Sequence, residues 1–100
     1  MHAQIIRSST TPEQRAEMNQ IVIEQLIPAL RDAPGCAGVM SFVDRRSGNS
    51  MLIALWTTAE EARRPRASHT PSQREAFARL DAVSTEKDEP VTVWEVNLRV

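Results

Sequence analysis

Few side chains in this 100-residue sequence are of types that do chemistry, and they are scattered. Trp56 ends an apolar β-type run, where its indole N–H could meet a developing negative charge in a dry pocket. The same ring serves equally as a large core residue. His69 stands just before a helix start and near Arg63, Arg64, Arg66 and Arg74. That cluster suits a general base or an anion-binding lid over a pocket mouth, or else a solvated connector. Trp56 and His69 are therefore the catalytic candidates. Ser41 is the one polar side chain in an apolar strand, and it bonds either backbone or ligand. A lone cysteine at a strand start, Cys36, reads as a small hydrophobe rather than a nucleophile. His2 lies near the terminus, outside any cluster. Two histidines and one cysteine, far apart, give no metal-ligand spacing, so no metal site is expected.

The elements that must position these residues follow from periodicity and turn chemistry. Residues 3–7 read as a first strand. Thr11, Pro12 and Gln14 form a capping-box pattern opening a helix over about 12–33. Its apolar stripe is Met18, Val22, Leu26, Ala29 and Leu30, widened by Ile21, Ile23 and Ile27. Pro28 removes the bond to the carbonyl of Glu24 and should kink this helix, which Pro34-Gly35 ends. A hairpin over about 36–44 and 49–57 turns at Asp44-Arg45-Arg46-Ser47-Gly48-Asn49. Thr58 with Glu61 caps a short helix that Pro65 interrupts. Thr70, Pro71 and Gln73 cap a second one, whose apolar face is Ala76, Phe77, Leu80 and Val83. Residues 86–90 are a solvated loop, and Val91 to Leu98 is the last strand.

The hairpin is apolar on both faces. Val39 and Val43 alternate with Met40 and Phe42, and Met51, Ile53 and Leu55 alternate with Leu52, Ala54 and Trp56. An antiparallel strand normally alternates apolar-in and polar-out, because one face meets the core and the other meets water. The order strand, helix, strand, strand, helix, strand predicts a ferredoxin-like α+β fold, with a four-stranded antiparallel sheet and both helices on one side. One hundred residues make one domain (1–100) that buries about 65% of its unfolded surface. Its own helices cover one face. The other needs a partner, and a second copy in a twofold dimer is the expected one.

Bulk properties narrow the partners. A net charge of −1 argues against nucleic acid. The apolar runs are too short for a membrane span, and the first residues lack a signal-peptide layout. A single cysteine fits a reducing cytoplasm.

Pro28 in the first helix, Pro34-Gly35 at its end, Asp44 and Gly48 in the hairpin, and Trp56 leading to the next helix resemble the dimeric α/β-barrel proteins of the antibiotic biosynthesis monooxygenase (ABM) domain family. From Pro34 to Trp56 the spacing is similar to that of small cofactor-free anthrone monooxygenases without a gap. The resemblance implies a pocket between sheet and helices in each subunit. There a polycyclic phenol loses a proton, and its carbanion gives an electron to dioxygen, without metal or flavin. The protein's task is to hold the substrate dry and stabilise its anion. The family's strand tryptophan falls on Trp56, and its later arginine on Arg74 or Arg79. Leu52 stands where those enzymes carry an asparagine, Ala62 where they carry a tyrosine, and the chain contains no Tyr.

Two functions follow. The first is a cofactor-independent monooxygenase, or a related isomerase or cyclase, on an aromatic or polyketide-type molecule. The second is a non-catalytic dimer that binds a small apolar metabolite or assists assembly of other enzymes. A haem-degrading variant, with His69 as ligand, is a third. Pocket candidates lie on the face of Trp56: Ser41, Leu52 and Ala54 from the strands, Val22 and Leu26 from the first helix, and Phe77 from the later one. Small residues beside Trp56 leave a cavity for a flat apolar ligand, or the helix fills it. An open cavity lined by Trp56 favours the enzyme, and a filled interface favours the binder.

Overall fold

The computed structural model describes residues 1–64, 70–83 and 91–97. Its elements run β1 (His2–Ser9), α1 (Arg15–Ile21), a π turn (Val22–Leu26), α2 (Ile27–Arg31), β2 (Cys36–Val43), β3 (Asn49–Trp56), α3 (Ala59–Ala62), α4 (Pro71–Val83) and β4 (Thr92–Glu95). The strands form one antiparallel sheet in the order β2-β3-β1-β4. The fold is therefore ferredoxin-like α+β, as the element order predicts.

The hairpin pairs in the expected register, with Ser41 opposite Leu52 and Val39 opposite Ala54. Ile6, Leu52, Ala54 and Trp56 join Met18, Leu26, Leu30, Phe77 and Leu80 in the core. Alternation turns Met40, Phe42, Ile53, Leu55 and Trp94 to the opposite face. There Met40 and Phe42 are each 47% exposed and Trp94 is 58% exposed, so the far face of this chain is open and apolar.

A π turn lies immediately before Pro28, where the kink is predicted. Met18, Val22, Leu26 and Leu30 are spaced by four, and in a regular α-helix each such step drifts about 40° around the axis. The wide turn over Val22–Leu26, closed by the Ile27 N–H on the Val22 carbonyl, takes up that drift. All four residues are buried as a result, while Ile23, assigned to the stripe from sequence, is 56% exposed. Pro28 then falls in the first turn of α2, where a missing N–H costs little.

Two of the three capping signals act as read. The Glu61 N–H donates to Thr58 Oγ1 at 3.2 Å. At α4 the box is reciprocal: the Gln73 N–H donates to Thr70 Oγ1 and the Thr70 N–H donates to Gln73 Oε1. Gln73 is also buried, and its amide donates to the Ala29 carbonyl at 3.2 Å, which ties α4 to the end of the first helical segment. The third signal differs. The Gln14 N–H bonds the Thr11 carbonyl, residues 12–14 form a turn, and α1 starts at Arg15 without a side-chain cap. With the Gln14 N–H taken by the Thr11 carbonyl, the Thr11 hydroxyl instead donates to Gln14 Oε1 at 3.3 Å. The last strand is also shorter than predicted at its start, beginning at Thr92 and pairing with β1 only through Glu95. Pro65 and Leu98 lie outside the described residues.

The hairpin loop depends on Gly48, which has φ +77° and whose carbonyl accepts the Thr10 N–H. A Cβ there would stand 2.7 Å from the Thr10 carbonyl oxygen and 3.1 Å from Arg15 Nη2. Gly48→Ala is therefore expected to cost about 2 kcal/mol or more, from left-handed backbone strain plus that collision. The urea midpoint measures it. A midpoint unchanged within error would show that the loop tolerates a side chain.

Candidate functional site in the helix–sheet layer

The layer between the sheet and its helices has a packed end and an open end. At the packed end, Leu26 and Ala54 are 0% exposed, Phe77 2% and Leu52 4%. Trp56 is buried among them, and its Nε1–H donates to Gln4 Oε1 at 3.0 Å. The expected free donor is thus already paired. Strand register explains this: β1 lies beside β3, and Gln4 and Trp56 share a face two residues apart in pairing. His2 pairs directly with Trp56, and its buried Nδ1 has no partner among the described residues. Ala62, also buried, closes this end.

The Gln4–Trp56 bond predicts a measurable coupling. Gln4→Leu leaves a buried N–H unpaired and should cost about 1–3 kcal/mol of stability. Trp56→Phe added to it should recover part of that loss, because the orphaned donor is gone. Additive single and double losses in denaturant melts would remove the bond as a stabilising element.

At the open end, beside the hairpin loop, lies a cavity of about 390 Å³. α1 and the π turn supply Arg15, Met18, Asn19 and Val22. The hairpin supplies Ser41, Val43, Arg45 and Ser50, and Thr10 comes from the end of β1. Ser50 Oγ is 2.7 Å from Ser8 Oγ and 3.5 Å from Met18 Sδ, so this hydroxyl is used inside the wall. The Ser41 hydroxyl makes no hydrogen bond to a described residue and faces the cavity. Arg15 Nε is buried and without a partner among the described residues. The nearby Asp44 carboxylate accepts the Arg46 N–H at 3.0 Å. That bond, then one from Ser47, lowers its pKa below the ordinary aspartate value.

Of the residues singled out from sequence, Ser41 and Val22 meet in this cavity, while Leu52, Ala54, Leu26, Phe77 and Trp56 pack together in the core. His69 lies outside the described residues. Arg74 and Arg79 are exposed on α4, and Arg79 pairs with Glu75 at 2.9 Å instead of entering the layer. Gln4 and Arg15 were not singled out. Both carry a periodicity signal: Gln4 precedes Ile6 by two in a strand, and Arg15 precedes Met18 by three on a helix. Among the described residues, no group of three or more His, Cys, Asp or Glu is placed to hold a metal. No helix there is long and apolar enough to cross a membrane.

The ferredoxin-like fold of this chain is shared by solved structures named as antibiotic biosynthesis monooxygenases. SnoaB of Streptomyces nogalater, described as a cofactor-independent oxygenase, superposes with TM-score 0.78 at 18% identity, covering 99% of this chain and 95% of its own. A structure named antibiotic biosynthesis monooxygenase gives TM-score 0.77 at 21% identity, over 96% and 98%. Rv0793 of Mycobacterium tuberculosis gives 0.71 at 19%, over 99% and 96%. At such identities the likeness is one of fold, and this chain has the ABM fold. No protein-family model matches it. Two uncharacterized proteins of Mycobacterium tuberculosis, MT2634 and Rv2557, are each 40% identical over 50 residues, half of this chain. The chain matches about a fifth of their length, 22% in each.

Proposed function

We propose that this chain is a single-domain ABM-type protein that acts as a homodimer. Each copy takes a small apolar or aromatic molecule into the cavity beside its hairpin loop. The observation that carries this is the cavity itself: about 390 Å³, with apolar walls from Met18, Val22 and Val43 and an unengaged hydroxyl at Ser41. Ligand pockets combine such walls with a few placed polar groups. The dimer rests on the open apolar face around Met40, Phe42 and Trp94. Protein-observed NMR with two- and three-ring aromatic and polyketide-type molecules tests the site. Expected are shifts centred on Met18, Val22, Ser41 and Val43. Shifts centred on Met40 and Phe42, or none with any compound, would overturn it.

The second reading, a cofactor-independent monooxygenase on an aromatic or polyketide-type molecule, is favoured by the fold shared with SnoaB. It is weakened by the packed Trp56, whose N–H already serves Gln4. Oxygen uptake with hydroxyanthrones or quinols decides it: rates no faster than buffer across the panel remove the enzyme and leave the binder.

A further inference from the structure

We infer that the hairpin-end cavity selects an anion on an apolar body, with Arg15 and Arg45 meeting the charge and Met18, Val22 and Val43 the body. This rests on the small-molecule reading of the cavity given above. The walls hold two arginines and no aspartate or glutamate, in a chain whose net charge is −1. Arg15 Nε is buried with no partner among the described residues. A buried guanidinium N–H without an acceptor is costly, and native proteins rarely leave one so. Asp44 is near enough to feel the Arg15 charge, yet it caps its own turn through the Arg46 N–H at 3.0 Å and does not line the cavity. No ion pair joins Arg15 to a described carboxylate. The Ser41 hydroxyl and the Asn19 side-chain amide, which also line the wall, can donate as well.

Gly48 has a part in this. Because it carries no Cβ, Arg15 Nη2 can lie against the loop, 3.1 Å from where that atom would stand. The guanidinium is thereby held between α1 and the hairpin instead of extending into solvent. The wall offers positive charge and donors, and it holds no carboxylate to balance them. A ligand's carboxylate, or the oxyanion of an ionised phenol or enol, supplies that balance. By contrast, the groove between α2 and α4 carries Glu24, Asp32 and Glu75 beside Arg79, and shows no such imbalance toward positive charge.

Titration calorimetry of the full chain with 2-naphthoate and its uncharged isostere 2-naphthamide tests the inference. The carboxylate should bind about tenfold tighter or more, the size of one charge-assisted hydrogen bond. Arg15→Gln and, separately, Arg45→Gln should narrow that ratio by weakening the carboxylate more than the amide. Arg45 is exposed in the loop, so its variant keeps the test intact if Arg15→Gln does not fold. Equal affinities in the wild type, or a ratio that survives both substitutions, overturn the charge selection and leave the cavity standing. Val22→Trp, which fills the cavity, should abolish binding of both probes. Binding that survives it, or no binding of either probe to the wild type, overturns the cavity reading as well.

Discussion

Phe42→Asp is expected to turn a dimer into a monomer. At micromolar concentration the wild type should sediment as two chains, burying about 1,200–2,000 Å² in total, and the variant as one. Phe42 is 47% exposed in the single chain, as is Met40, with Trp94 at 58%. Phe42 lies opposite Met51, and Met40 opposite Ile53, so these side chains are contiguous across β2 and β3. Burying a Phe is worth about 1.5–3 kcal/mol. At 47% exposure about half of that remains to be gained, so a twofold interface loses about 1.5–3 kcal/mol in all, before any cost of burying the new carboxylate. With that cost added, dissociation should rise a hundredfold or more, about 2.8 kcal/mol at the least. The substitution is on the open face, so helical circular dichroism should be kept. A wild-type chain that sediments alone would sink the dimer, because the apolar face would then be stable in water.

Leu26→Ala should be a costly truncation in the core. Leu26 is 0% exposed, and removing a buried leucine leaves a cavity as well as lost transfer energy, about 2–5 kcal/mol together. In a domain of this size the melting temperature should fall by about 10 °C or more. The control is Ile23→Ala, at a residue 56% exposed, which should stay within about 0.5 kcal/mol. The pair also tests the π turn. Leu26 faces the core because the turn absorbs the drift of the four-residue spacing. Equal costs at the two positions would mean that the helix winds regularly and that Ile23 shares the buried stripe.

The elements with strong local chemistry were legible in the sequence. Thr58 and Thr70 cap their helices through side-chain bonds to residues three positions on, and a local signal suffices for that. Thr11-Pro12-Gln14 carries the same signal, yet it forms a turn before α1, where the chain leaving β1 sets the entry. The four-residue spacing of Met18, Val22, Leu26 and Leu30 was also in plain view. Its consequence, a wide turn, needed the sheet against which that stripe lines up.

The candidate site divides along the same boundary. Ser41 and Val22 stood out as a polar residue in an apolar strand and a member of the helical stripe, and they meet in the cavity. Gln4 and Arg15 looked like ordinary surface residues, because pairing across 52 residues and the loop around Gly48 give them their partners or leave them without one. By itself the sequence determined the α+β element order and the oiliness of both hairpin faces, since composition and period-two alternation are local properties of the chain. Only the tertiary structure decided that the tryptophan end is filled and the hairpin end open. That outcome depends on how side chains distant in sequence share volume, and no local pattern encodes it.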